Sequence, residues 1–157
     1  MVVGLVAGTF TERAPDTPDV TRGGYSVIAA DFHVHSFLGD GMLSPFALVT
    51  RARHQGLDAF AISDHNRLFM AKAGRWYSRL VGGPTVVLGE EITAPGFHVI
   101  ALGIHRHVTW RQSAAEVVED IHRQGGVAIA AHPTRRFWPQ FDGNVVRQLD
   151  GAEGALP

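Results

Sequence analysis

Residues 25–35 read YSVIAADFHVH. On an extended chain, alternate side chains point to opposite faces. Val27, Ala29, Asp31, His33 and His35 therefore share one face, and Ile28, Ala30, Phe32 and Val34 share the other. The second face is apolar throughout, whereas the first begins apolar and becomes polar at its C-terminal end. That pattern suits an inner barrel strand whose far end opens onto a site. Later segments repeat it. Leu57 to Ser63 is a short, almost continuous apolar run, as expected of a parallel strand covered on both faces, and Asp64 and His65 follow it directly. Thr85 to Leu88 and His98 to Ile104 read as further strands, with Glu90 and Glu91 after the first of them. Val127 to Ala131 is another buried strand, followed by His132 and Pro133.

Helix signals lie between these strands. Ser44 is a capping hydroxyl, Pro45 suits the first helical position, Phe46, Val49 and Ala52 form a stripe, and Gly56 stops it. Residues 68–81 fit a second helix, broken by Gly82, Gly83 and Pro84. Ser113 and Glu116 have the spacing of a capping box, Val117, Val118 and Ile121 give the apolar stripe, and Gly125 ends it. The alternation of strand and helix predicts an α/β fold with a largely parallel sheet closed as a barrel. Sites in such folds lie at the C-terminal ends of the strands, where His33, His35, His65, Glu91 and His132 fall.

The chain's 157 residues are enough for one domain with a real core. Its net charge of −1 gives no global attraction to nucleic acid or to an anionic membrane. The lack of cysteine excludes disulfides, thiolate metal sites and cysteine nucleophiles. No stretch is long enough to span a bilayer. The opening MVVGLVAGTF is mostly apolar but has no basic n-region. It reads as a disordered or edge-packing terminus, or as the tail end of a membrane anchor; without an anchor the expected location is the cytoplasm. Thr11 to Arg22, with Pro15 and Pro18, reads as a linker. The expected organisation is thus an apolar segment and linker over residues 1–23 and one domain, expected to be partial, over 24–157 that carries these histidines and carboxylates.

Imidazole nitrogens and carboxylate oxygens together favour zinc, manganese or iron. His33 and His35, two apart on a strand, can point at one ion. A single such pair is weak evidence, but five ligand-type residues at successive strand ends are strong evidence. Asp31, one step deeper on the same face, either orients an imidazole by accepting its second N–H or serves as an ordinary capping or ion-pairing aspartate. Glu90 and Glu91 are adjacent, so only one of them can face inward.

The motifs DFHVHS at 31–36 and GDG at 39–41 resemble the opening motif of the PHP (polymerase and histidinol phosphatase) superfamily. GLDAFAISDHN at 56–66 is similar to its second motif, GEEIT at 89–93 to its third, and AHP at 131–133 to a later one. The resemblance implies a distorted, TIM-like β/α barrel that binds two to three divalent ions. By motif match, His33 and His35 would hold the first ion. Glu91 would bridge to a second, which His132 helps to hold, and Asp40 and His65 would bind a third. His98 is similar to a histidine that follows the bridging glutamate. The activity implied is metal-dependent phosphoesterase chemistry, in which metal-activated hydroxide attacks a phosphate ester. Asp31, Glu91 and His132 are then the catalytic candidates. Arg135 and Arg136 are the substrate-binding candidates, because a guanidinium fork pairs with two phosphate oxygens; Arg67 and Arg106 are weaker ones. His54, His105, His107 and His122 match no ligand motif, and His54 and His122 are expected to face solvent from helices.

The family's C-terminal Asp-x-His does not occur after residue 133, and LDGAEG at 149–154 resembles the strand that precedes it. A whole barrel takes about 200 residues or more. The expectation is therefore an incomplete barrel with an unpaired edge, weakly active or inactive alone and prone to associate. The expected partner is a small phosphorylated substrate. Nucleotides and nucleic-acid ends fit the same chemistry, although no basic stripe points to long nucleic acid. One alternative is a non-catalytic metal-binding or regulatory module. Another, a metal-dependent amidohydrolase, is disfavoured because many of those need a strand-end lysine and the only lysine here is Lys72, in a predicted helix.

Overall fold

The segment 25–35 is not one strand. The computed structural model describes residues 20–133 and 138–154, and there β1 (Val20–Arg22) and β2 (Tyr25–Val27) form a small antiparallel hairpin. Its turn is Gly23-Gly24, with φ values of 60° and 83°, a left-handed pair that glycine adopts without a Cβ clash. The end of the expected linker is therefore a strand. The main sheet begins only at β3 (Ala30–Val34), whose pairing shifts register between Asp31 and Val34. The apolar N-terminal segment, Arg135 and Arg136 lie outside the described residues.

Six strands form the main sheet in the order β3, β4 (Ala59–Ile62), β5 (Thr85–Ala94), β6 (Phe97–Leu102), β7 (Val127–Ala130) and β8 (Gly151–Ala152). The sheet curls into part of a barrel, with β3 and β8 as its two edges. Neighbours are parallel except that β6 runs antiparallel to both β5 and β7. This departs from the alternation read in the sequence. β5 does not stop at Leu88. It runs on through Glu90 and Glu91 to Ala94 and turns straight back into β6 as a hairpin that pairs Glu91 with Ile100 and Thr93 with His98. With no room for a crossover helix, the two strands must be antiparallel.

Helices cover the outer face. α1 (Pro45–His54) starts where Ser44 accepts the Ala47 N–H, with Pro45 in its first turn. α2 (Phe69–Val81) ends at Gly82 in the left-handed region. α3 (Ala114–Arg123) begins with the Ser113–Glu116 capping box. Their apolar stripes pack with Phe60, Ile62, Ile92 and Val99 in the main core. A second, smaller cluster of Ala61, Ile100, Leu102 and Ala131 fills the concave face, with Val87 and Ile129 against it. The short helix α4 (Gly143–Gln148), capped by Asp142, leads into β8.

The two adjacent glutamates of β5 go to opposite faces, as strand alternation requires. Glu90 turns outward and is fully buried. Its Oε1 accepts the Val108 N–H at 2.7 Å and its Oε2 lies 2.8 Å from His107 Nδ1. Burial pushes the Glu90 carboxyl above its usual range, and these two partners pull the other way. Glu90 thereby anchors the loop between β6 and α3. Glu90→Ala should cost about 1–3 kcal/mol, since it strands a buried N–H. Urea denaturation checks this, and an unchanged midpoint would contradict the anchoring role.

Candidate metal centre

Glu91 turns to the concave face, above the Ala61–Ile100 cluster, and its side chain is 1% exposed. Five imidazoles surround its carboxylate. His33 Nε2 and His35 Nε2 each lie 3.3 Å from Oε2, and His65 Nδ1 lies 2.9 Å from it. His98 Nδ1 is 2.7 Å and His132 Nε2 3.1 Å from Oε1. They arrive from separate segments. His33 is in β3 and His35 just past it, His65 follows β4, and His132 follows β7. His98 comes from the start of β6, not from a strand end. Because β6 runs backwards, its start lies at the same rim as the ends of its neighbours. Among the described residues, two groups offer ligand atoms within 4.8 Å of one another: His33, Glu91 and His132, and His35, Asp40 and His65. His35 thus groups with Asp40 and His65, while its ring stays 5.0 Å from that of His33.

Asp40 is brought in by a tight loop. The buried Asp64 carboxylate accepts the Ser36 N–H at 2.6 Å and the Ser36 hydroxyl at 2.5 Å. Ser36 O in turn accepts the N–H groups of Gly39 at 2.9 Å and Gly41 at 3.1 Å. A Cβ on Gly41 would sit 2.1 Å from the His35 carbonyl oxygen, so only glycine fits. The loop leaves Asp40 Oδ1 3.2 Å from His35 Nδ1 and Oδ2 3.7 Å from His65 Nε2. His65 is steadied from the other side, its Nδ1 2.7 Å from the Thr93 hydroxyl. Asn66, at a φ of 52°, pairs its side-chain amide with both backbone groups of Thr93, a left-handed position that asparagine tolerates.

Asp31 does not reach an imidazole here. Its carboxylate accepts the His33 backbone N–H at 3.2 Å, where the register shift of β3 breaks simple alternation. The carboxylate on the His33 ring is that of Glu153, just past β8, with Oε1 2.7 Å from Nδ1. Its Oε2 accepts the His132 N–H at 2.6 Å. Sequence reading missed Glu153; the available signal was its place after a strand-like segment, the position that the other ligand-type residues occupy. Arg67 bonds the Leu38 carbonyl beside the loop. Arg106 lies on the exposed surface beyond β6, and His54 and His122 are exposed on helices. Lys72 is exposed on α2, on the outer side of the sheet.

The donors fit divalent transition ions. Imidazole nitrogen and carboxylate oxygen suit zinc, manganese or iron, and two carboxylate oxygens cannot satisfy five imidazoles by hydrogen bonding with good geometry. His35 Nδ1 is buried and makes no hydrogen bond, as expected of a nitrogen that serves as a ligand. The same contacts shift the titration of these groups. The Glu91 carboxylate raises the His33 imidazole to about 9 against the opposing effect of burial, with Glu153 adding to the rise. Burial pushes the Glu91 carboxyl up, but the hydrogen bonds of His33 and His35, together with the charges of His33 and His65, hold it well below the usual range. Burial lowers His98, against the pull of Glu91.

Two measurements follow. Gly41→Ala should destabilise by about 1–3 kcal/mol through overpacking, whereas Met42→Ala, at a 93% exposed neighbour, should change little. Equal urea midpoints for the two would contradict the tight-loop account. Without metal, the Glu91 pairing raises the folded pKa of His33 from 6.5 to about 9, a state that chelator treatment should reach. Its stabilisation is therefore complete below pH 6.5 and is lost as pH rises through about 9. The stability gap between wild type and His33→Gln should narrow from about pH 6 to about pH 10; a constant gap would contradict the His33–Glu91 pairing.

The PHP domain profile matches residues 31–130. An uncharacterized protein of Methanocaldococcus jannaschii is 32% identical over 117 residues, covering 66% of this chain and 67% of that one. A 5'-3' exoribonuclease of Haemophilus influenzae is 32% identical over 80 residues, 48% of this chain but 29% of its own length. Among solved structures, a two-domain Bacteroides vulgatus protein, containing an inferred PHP-like metal-dependent phosphoesterase, superposes with a TM-score of 0.75 at 20% identity. That match covers 90% of this chain and 48% of the other, so this chain spans about half of that protein. A Bifidobacterium adolescentis protein, assigned by inference as a metal-dependent phosphoesterase, gives 0.64 at 20% identity over 80% of this chain and 77% of its own. A Chromobacterium violaceum amidohydrolase gives 0.61 at 14% identity, over 78% and 75%. At these identities the structural matches speak for the fold alone. The profile match spans more than half of the sequence, through every ligand-type residue of the concave rim except His132 and Glu153, and the chain belongs to the PHP domain family.

Proposed function

We propose that this site hydrolyses phosphate esters of small molecules or nucleotides with two or three divalent ions, zinc, manganese or iron. The observation that carries the reading is the Glu91 carboxylate, buried and met by five imidazoles. His33, Glu91 and His132 would hold one ion and His35, Asp40 and His65 another, with Glu91 lying between the groups and His98 beside its Oε1. Bound ions would supply an acidified water as nucleophile and neutralise charge growing on the phosphoryl oxygens.

The chain's own residues prepare this. Glu153 would accept a hydrogen bond from His33 Nδ1–H and so leave Nε2 as the ligand atom. Thr93 does the same service at His65 Nδ1, leaving Nε2 toward Asp40. Asp31 steadies the His33 backbone. His132 is half exposed and is the most open of the five rings, so substrate would arrive on its side. Arg135 and Arg136, which follow it in sequence after Pro133 and Thr134, are the proposed phosphate partners.

The metal-loaded chain should hydrolyse a chromogenic phosphomonoester at a low but measurable rate, since the sheet closes only part of a barrel. Thr93→Val should lower turnover about 10-fold to 100-fold, the usual cost of removing a partner that orients a ligand. Bound metal with no turnover on phosphomonoesters or nucleotides, even after a C-terminal Asp-x-His segment is supplied, would replace this reading with the non-catalytic, metal-binding one. Amide hydrolysis without phosphate-ester hydrolysis would replace it with an amidohydrolase.

A further inference from the structure

We infer that Trp138 is a positioning residue for the ion held on the Glu91 Oε1 side, because it joins His98 and His132, which come from different strands, into one unit. This rests on the metal reading proposed above. The indole lies on the His98 ring with centroids 4.1 Å apart and planes 27° from parallel. Its N–H is shared between the carbonyl oxygens of Ala131, at 3.1 Å, and His132, at 3.2 Å. The same ring is 5.6 Å from that of His132.

Both histidines need such a hold. An imidazole rotates broadly about its terminal torsion, and the bond from His98 Nδ1 to Glu91 fixes one edge of the ring and not its tilt. A flat indole against its face fixes the tilt. His132 has a φ of 30°, in the left-handed region that a non-glycine residue keeps only where its surroundings impose it. Glu153 clamps its N–H and Trp138 clamps its carbonyl, one on each side of the strained position. The His132 ring then reaches Glu91 Oε1. One side chain thus sets the plane of one ring and the backbone of the other, and both rings face the same carboxylate oxygen.

The probe is zinc chloride alone, titrated calorimetrically into the full chain. Trp138→Leu should weaken the affected zinc site about 10-fold to 100-fold. Trp138→Phe, which keeps a flat ring but loses the N–H, should fall between it and wild type. The penalty of Trp138→Leu should shrink or vanish in a His98→Gln background, which a general loss of packing would not do. Should Trp138→Leu fail to fold, as judged by circular dichroism, a second readout applies. With Trp76 and Trp110 replaced by phenylalanine, Trp138 is the only tryptophan, and its emission should change with the zinc midpoint found by calorimetry. Wild-type zinc affinity in Trp138→Leu, or Trp138 emission indifferent to zinc that binds, would overturn the inference. Absence of zinc binding by the wild-type chain would overturn the metal reading and this inference with it.

Discussion

A carboxylate removed from water is tolerated only where opposite charge or strong donors meet it. Glu91 is such a group. It lies at the centre of the sheet's concave face, nearly inaccessible, and the rest of the rim is organised to answer it. Strand alternation places it opposite Glu90, so β5 carries one buried acid on each face. The outward acid is satisfied by a backbone N–H and a histidine and holds a loop. The inward acid meets five imidazoles, far more than a hydrogen-bonded anchor needs. The difference in surroundings, not in residue type, separates the loop anchor from the candidate metal ligand.

The reversal of β6 is what allows so many segments to converge. In a strictly parallel sheet only strand ends reach the rim. Here β5 climbs past the level of its parallel neighbour and folds straight back, so a strand start, His98, joins the strand ends. The concave face below is filled by Ala61, Ile100 and Leu102, which closes the floor beneath the carboxylate. The Ser36–Asp64 bonds and the space available only to Gly41 then bring Asp40 over the top.

Much of this was legible in the sequence, for identifiable reasons. Helix starts at Ser44 and Ser113 and stops at Gly56, Gly82 and Gly125 were readable because caps and left-handed glycines are local chemistry. The short strands β4 and β7 were readable from unbroken apolar runs, although only β4 is buried throughout and Val127 at the start of β7 is exposed. The break between β2 and β3 was not, because the alternating pattern of residues 25–35 continues across it without a proline or a glycine. The extension of β5 was obscured by its two glutamates, which look like loop residues until both faces are seen to be buried. The order of ligand-type residues along the chain pointed to one rim, but their grouping in space depends on turns. His35 sits with Asp40 and His65 because the 36–41 loop folds back. Trp138 reaches the cluster through tertiary contacts that no local pattern announces, whereas Glu153 had only its place after a strand-like segment to mark it.

The pair of adjacent glutamates allows the central claim to be tested with the least ambiguity. Glu90→Gln and Glu91→Gln remove the same charge from neighbouring positions on one strand. Elemental analysis of divalent metal in the two purified variants, beside wild type, should find metal retained in Glu90→Gln and lost in Glu91→Gln. Equal metal content in both variants, or none in wild type loaded with excess ion, would contradict the account.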